Sequence, residues 1–152
     1  RSRRQRQMCI RDRHLDDYHA ALKVIYRVLK PAGKFLPSVP SYWPEKICWL
    51  LSKDYQNMPG GHVRIFKKNQ LINEVSSYGF QYSISERFHG FHSAYWWLRC
   101  SFWKNQDSNF LVNIYKKFLE YHILKNPAWL NRFEKIINPN FGKSVAFYFE
   151  KK

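Results

Sequence analysis

The sequence predicts one α/β domain, and three observations support this fold class. The chain has 152 residues, which is the usual size of a single domain. Twelve Phe, ten Tyr and six Trp residues supply enough apolar area for a sizeable core. Along the chain, the spacing of apolar residues changes between the period of a helix and that of a strand. The resulting order is helix–strand, helix–strand, further helices and a final strand.

The first αβ unit begins at Asp16 or Asp17, since either side chain can cap the helix that follows. That helix has apolar side chains at helical spacing, at Leu22, Ile25 and Leu29. The next four residues, with Pro second and Gly fourth, predict a type I turn in which Ala32 has negative φ. Residues 34–39 are short and apolar, which predicts a buried strand.

The rest of the chain predicts four more helices and two more strands. Helices are expected over residues 43–51, 67–78, 107–124 and 127–137, and strands over 80–88 and 144–149. Phe80, Tyr82, Ile84 and Phe88 alternate with polar residues, and only Glu86 breaks the alternation. Apolar rows on the last two helices are expected to face the core. They are Phe110, Ile114 and Phe118 beside Leu111, Tyr115 and Leu119 on the first helix, and Leu130, Phe133 and Ile137 on the second. Asn126 is the predicted cap of the last helix.

The first 13 residues carry a net charge of +5 out of the +15 of the whole chain. Residues 1–13 contain six Arg and one Asp without apolar periodicity, and they resemble the translation of a sequencing-adaptor remnant. We therefore expect residues 1–13 to be a non-native, disordered tail and residues 14–152 to form the domain. A basic arm that binds nucleic acid is the alternative for this tail. The other Lys and Arg residues are dispersed, which argues against a specific nucleic-acid surface.

Two patterns exclude further classes of protein. No apolar run exceeds five residues, the length of residues 47–51 and 94–98, whereas a membrane-spanning helix needs about 18. Cys9, Cys48 and Cys100 are far apart and form no CxxC pair, so neither a disulfide framework nor a structural zinc site is predicted. We expect no transmembrane segment and a cytoplasmic location, where thiols stay reduced.

Three stretches near the start form a recognisable pattern. They are His14-Leu15-Asp16-Asp17, Tyr26-Arg27-Val28-Leu29-Lys30-Pro31-Ala32-Gly33-Lys34-Phe35 and Val39-Pro40. The pattern resembles the second half of a class I S-adenosylmethionine-dependent methyltransferase of the type 11-like group. In that family a strand ends near Leu-x-His-Leu-x-Asp, a helix ends in Arg-Val-Leu-Lys-Pro-Gly-Gly, and the fifth strand follows. Residues 62–66, the helix before Gly79 and the closing strand resemble the region of strands six and seven.

The resemblance implies a Rossmann-like methyltransferase fold, of which this chain would be the C-terminal half. It would contain strands five to seven, with a helical insertion over about residues 93–138 before the last strand. The cofactor implied is S-adenosylmethionine, with His14 and Leu15 beside it. The family's glycine-rich cofactor loop has no counterpart in the sequence, so we expect a fragment that is inactive alone. Pro37 departs from the family's pattern, because proline in a central strand removes one ladder hydrogen bond.

Histidine and aromatic side chains are the candidate site residues. Methyl transfer to a hydroxyl needs alignment and at most one base, usually a histidine. We predict His14 and His62 as catalytic, against the alternatives of a helix entry and a surface loop. The predicted acceptor pocket contains side chains that follow the fifth and sixth strands: Tyr42, His62, His89, His92, Tyr95 and Trp96. Core packing is the alternative for the aromatic members.

His89 and His92 also form an HxxH spacing, which occurs in metal sites. The sequence offers no third ligand at a matching spacing and no nearby carboxylate, so we predict no metal. Substrate contact or ordinary hydrogen bonding is the preferred interpretation.

The resemblance, together with these candidate residues, implies methyl transfer to a small-molecule acceptor through a hydroxyl group. Aromatic side chains beside the cleft suit a sugar, a quinone or a lipid-linked acceptor. The alternative function is a non-enzymatic basic module that binds nucleic acid, which predicts basic residues interleaved with exposed aromatic rings on one surface. A divergent domain without activity is the third possibility.

Overall fold

The structure is a computed structural model that describes residues 17–58 and 65–152. This part of the chain is mixed α/β, which confirms the coarse fold class, and its sheet is small and antiparallel. Its elements are α1 (Tyr18–Val28), β1 (Lys34–Phe35), β2 (Ser38–Pro40), α2 (Tyr42–Leu51), α3 (Lys53–Gln56), α4 (Lys68–Ser77), β3 (Phe80–Phe88), α5 (Gly90–Ser101), α6 (Phe110–Lys125), α7 (Ala128–Phe141) and β4 (Ser144–Lys151). None of the described helices has the length and apolar character that crossing a membrane requires.

The last strand, β4, lies at the centre of the sheet. β1 and β2 pair with β4 in a single antiparallel register, with Val39 opposite Val145. Because the register is shared, we call residues 34–40 the interrupted strand. β3 also pairs antiparallel with β4, and Val145 is opposite Arg87 there. Since Val145 has a partner on each side, the interrupted strand and β3 lie on opposite edges of β4. They run in the same direction, and both end opposite Ser144.

Pro37 explains why the predicted strand over residues 34–39 is divided in two. The carbonyl oxygen of Pro37 accepts a hydrogen bond from the N–H of Phe147 at 2.9 Å. Proline has no N–H with which to return that bond, so the ladder loses one hydrogen bond at this position. The Pro37 side chain is nevertheless fully buried, and the register continues unchanged on either side of it.

The main core lies between one face of the sheet and the helices α1 and α4. Its most buried members are Leu22, Val75, Phe35, Phe80, Phe147 and Phe149. α1 begins after Asp17, whose carboxylate accepts a hydrogen bond from the N–H of Ala20 at 2.9 Å, as expected of a cap. Two smaller clusters connect α2 with α5, and α5 with α6 and α7.

The predicted type I turn before the interrupted strand is wrong. Ala32 has φ of 59°, which is the left-handed region, and the N–H of Gly33 donates to the Lys30 carbonyl at 2.8 Å. Positive φ at the third position is the geometry of a type II turn, which favours glycine there. The N–H of Ala32 donates to the carbonyl of Lys151 at 3.0 Å, so a contact with the end of β4 holds the residue in this conformation.

β3 is a half-buried strand as predicted, but its alternation changes midway. The pairing with β4 shifts between Tyr82 and Ile84, which is the mark of a β-bulge. An extra residue in one strand moves the following side chains to the opposite face. Ile84 is consequently 55% exposed, although the alternation predicts it on the buried face.

The stretch between β3 and β4 is helical over most of residues 90–141, and its status as an insertion stays a prediction. α5 was not predicted as a separate helix, because apolar residues occupy all of its sides. Asn126 does not cap α7: it ends α6 with a left-handed conformation, φ of 46°, and Pro127 precedes α7.

The expected core faces of α6 and α7 are also partly wrong. Phe110 is 74% exposed and Phe133 is 52% exposed. Leu119 is buried as predicted, and Val112, which belongs to neither predicted row, is the other buried apolar residue of α6. α6 is apolar around most of its circumference, so periodicity alone does not show which side faces α5 and α7. Leu130 is buried as predicted.

Candidate functional site

A cavity of about 730 Å³ opens where the interrupted strand and β3 end. Side chains from the ends of these strands and from α7 line it, among them Tyr42, Glu86, Arg87, Phe88, Lys135 and Asn138. In open α/β sheets, ligands bind beyond the carboxyl ends of parallel strands. The cavity is therefore at the edge of the sheet where the sequence places an acceptor.

Basic side chains dominate the surroundings of the cavity. Lys68, Arg87 and Lys135 line it, and Glu86 is the one acidic side chain among the described lining residues. The Arg87 Nη1 donates a hydrogen bond to the Pro139 carbonyl at 2.6 Å, which fixes the guanidinium against α7. Such a site favours a ligand with a carboxylate or phosphate group.

Of the predicted acceptor residues that the structure describes, Tyr42 lines this cavity. It begins α2 directly after Ser41, and its ring is half-buried. The Nζ atoms of Lys46 and Lys67 lie 5.9 and 5.8 Å from the centre of the Tyr42 ring, within the range of cation–π contacts. The aromatic ring thus belongs to the same basic surface as the cavity.

His89 and His92 lie together at the start of α5, beside the carboxyl end of β3. Their ring centres are 5.2 Å apart and the rings meet edge to face. The structure also brings Glu134 of α7 to this pair, and one ligand atom from each of the three side chains lies within 4.8 Å of the others. The sequence pattern gave no carboxylate partner for the two histidines, because Glu134 is far along the chain.

Tyr95 and Trp96 pack inside the helical part of the protein, and neither lines the cavity. Tyr95 stacks on Tyr115 with ring centres 6.2 Å apart. Trp96 contacts Tyr55 at 5.5 Å between ring centres, and the Arg99 guanidinium lies 5.2 Å from its ring. The predicted acceptor residues that the structure describes are therefore not brought together: Tyr42, the histidine pair and these two rings occupy three separate places.

Sequence analysis missed a buried polar cluster between α2, α5 and the start of β4. The ammonium of Lys143 forms an ion pair with Glu45, and its Nζ lies 3.4 Å from the Cys48 Sγ. The Tyr55 hydroxyl donates to the Glu45 Oε1 at 2.7 Å. Glu45 within the apolar helix α2 is the sequence signal that could have pointed to this cluster.

The pKa values of the two buried cysteines near this ion pair are shifted in opposite directions. A hydrogen bond from Cys100 lowers the pKa of Cys48, and the positive charge of Lys143 lowers it further against the effect of burial. The same hydrogen bond and burial raise the pKa of Cys100. Burial also raises the pKa of Tyr55, which keeps its hydroxyl protonated as the donor to Glu45. Any thiolate in this cluster would thus form on Cys48.

His14, Leu15 and His62 lie outside the described residues, so their catalytic and cofactor roles stay predictions. No protein-family model, curated protein or solved structure matches the chain. The interpretation of function consequently depends on the chain's own residues and topology.

Proposed function

We propose that the chain is the C-terminal part of a class I S-adenosylmethionine-dependent methyltransferase with a small-molecule acceptor. Strand order is the observation that carries the proposal. In that family the last strand lies antiparallel between the fifth and the sixth strands. β4 has the same relation to the interrupted strand and to β3. The interrupted strand is also the segment whose sequence resembles the fifth strand.

The outer edge of the interrupted strand supports the same proposal. Gly33 and Pro37 direct their carbonyl groups to β4, so the main-chain groups of the alternate residues Leu36 and Ser38 point away from it. Within residues 17–58 and 65–152, no strand pairs with this outer edge. A parallel fourth strand ending near His14 would pair there and extend the sheet.

The cavity at the strand ends is the acceptor site in this proposal. S-adenosylmethionine would supply the methyl group, and the described residues contain no glycine-rich loop to hold it, so we assign them acceptor roles only. Arg87 and Lys135 would bind an acidic group of the acceptor, while the Tyr42 ring would shield the hydroxyl from water. His62 remains the proposed base for the hydroxyl proton.

Calorimetric titration with S-adenosylmethionine tests the proposal. The chain itself should bind the cofactor weakly or not at all, whereas a version extended by the residues encoded upstream of His14 should bind it. Equal micromolar binding by the unextended chain would contradict the proposal, as would a lack of binding by the extended one. In the extended protein, Lys135→Met should lower methyl transfer by about tenfold or more, because a charge-assisted contact is lost. Lys117→Met on α6 is the matched control and should leave transfer unchanged.

Binding of single-stranded nucleic acid is the second candidate function, and one surface favours it. Lys46 and Lys67 lie over Tyr42, and the Lys68 Nζ lies 5.9 Å from the centre of the Tyr82 ring. Basic side chains alternate there with half-exposed rings, which is the pattern that stacking of bases requires. Fluorescence anisotropy with a labelled oligonucleotide tests this function: binding should weaken with salt and fall with Tyr42→Ala.

A further inference from the structure

The first turn of α5 places two imidazole rings side by side. His89 precedes the helix in a left-handed conformation, with φ of 65° and ψ of 49°. The N–H of His92 donates to the His89 carbonyl at 3.1 Å, which makes the turn tight. The left-handed residue directs the His89 ring toward His92, and the rings meet at an angle of 70°. Two nitrogen ligands are therefore available at one point of the surface.

Gly90 allows α7 to come close to these rings. A Cβ atom at this position would lie 2.9 Å from Ile137 Cγ1 and 3.0 Å from the Asn138 Oδ1. The N–H of Gly90 donates to the same Asn138 oxygen at 2.8 Å, which connects the two helices. Glu134 lies one helical turn before Asn138 on α7, so its carboxylate faces the same part of α5.

Two polar atoms of this group are buried and have no hydrogen-bond partner. They are the His92 Nδ1 and the Glu134 Oε1. Buried polar atoms without partners are uncommon in folded proteins, because desolvation is costly when nothing replaces the water. Both atoms belong to side chains of the three-residue group, and a bound cation is a partner that can satisfy such atoms.

We propose that His89, His92 and Glu134 bind a divalent transition-metal ion. One ligand atom from each residue lies within 4.8 Å of the others, and tetrahedral zinc at about 2.0 Å needs ligand separations of roughly 3.3 Å. Rotation of the exposed His89 side chain can close that difference. Two imidazoles and one carboxylate suit zinc, iron or cobalt rather than magnesium or calcium, which prefer oxygen ligands.

Three protein ligands leave at least one coordination position of a tetrahedral metal ion open for water or a substrate atom.

The proposed metal site adjoins the cavity without depending on its function. His89 follows Phe88, and Asn138 is four residues after Glu134; both Phe88 and Asn138 line the cavity. A bound metal ion would lie at the rim of the cavity, where its open coordination position could bind an anionic ligand. Metal binding can be measured without methyl transfer, so its failure is distinguishable from failure of the proposed methyltransferase function.

Calorimetric titration of the whole chain with Zn²⁺, after removal of metals by a chelator, tests the proposal. Glu134→Gln should weaken the binding at this site by about a hundredfold or more, because losing an outer-shell partner alone costs about 10- to 100-fold. Glu120→Gln on α6 is the control, because Glu120 is an exposed glutamate outside the proposed site. This variant should bind Zn²⁺ as the original protein does. His89→Asn is a second variant, chosen because asparagine tolerates the left-handed backbone conformation. His19→Asn is its control.

Equal affinity and stoichiometry of Zn²⁺ binding in the original protein, Glu134→Gln and His89→Asn would overturn the proposal. Absence of Zn²⁺ binding by the original protein would overturn it as well. Circular dichroism spectra establish that each variant is folded, and the exposed His89 makes its variant informative even where Glu134→Gln fails to fold. The visible absorption of bound Co²⁺ gives a second measurement, since it should disappear in both variants and persist in both controls.

Discussion

Replacement of Lys143 by Met should remove a large part of the free energy of unfolding. The Lys143 ammonium forms an ion pair with Glu45, whose side chain has no exposed area. In the variant, the Glu45 carboxylate stays buried without its cation. Among the described residues, the Tyr55 hydroxyl, 2.7 Å away, is then the one donor to it. Breaking a buried ion pair in this way costs about 3–5 kcal/mol. Domains of this size have a total stability of about 5–15 kcal/mol, so the urea midpoint should fall markedly.

Two further variants separate a buried unpaired charge from the mere loss of a contact. Adding Glu45→Gln to Lys143→Met removes the charge but keeps an oxygen that accepts from Tyr55, so most of the lost stability should return. Asp107→Asn breaks the ion pair with Arg99, but Asp107 is 93% exposed and the charges are 4.0 Å apart. This surface change should cost less than about 1 kcal/mol. A loss below about 1 kcal/mol in Lys143→Met itself would refute the reasoning, because a buried carboxylate without its cation must be costly.

Two other substitutions test the turn and the core by the same urea measurement. Ala32→Gly should raise the free energy of unfolding by about 0.5–1 kcal/mol, since glycine adopts the left-handed conformation without strain, whereas Ala20→Gly in α1 should lower it. A loss of stability in Ala32→Gly would contradict the assigned turn. Phe147→Ala should cost about 3–5 kcal/mol because its ring is fully buried, and Phe133→Ala should cost less than half as much. Equal losses in the two variants would contradict the assigned core.

The sequence predicts elements well where one period is clear and a local cap marks the boundary. Asp17 begins α1, and residues 80–88 form a strand with the predicted bounds. Failures occur where a distant contact decides the local conformation. Ala32 takes positive φ because its N–H bonds to Lys151, at the other end of the chain. The buried side of α6 could not be predicted for another reason, because α6 is apolar on most of its sides.

The candidate site was less predictable than the fold, because its parts come from distant segments. Tyr42, which follows the interrupted strand, lines the cavity, and its role toward an acceptor stays a prediction. Proximity in the sequence does not show that Glu134 lies beside His89 and His92, since the approach of α7 depends on the missing side chain of Gly90. Lys143 was missed as well, because a lysine before an apolar strand ordinarily faces solvent.

The central position of β4 has a consequence for how the chain folds. Among the described strands, the interrupted strand and β3 make no ladder with each other, and each pairs with residues 144–151. During synthesis from the amino end, these pairings therefore cannot form until β4 has left the ribosome. Each of them joins segments far apart in the chain, which makes folding slow. Until β4 arrives, α1, α4 and the aromatic residues of the core remain without the strand that covers them, and this interval is when the chain is most prone to aggregate.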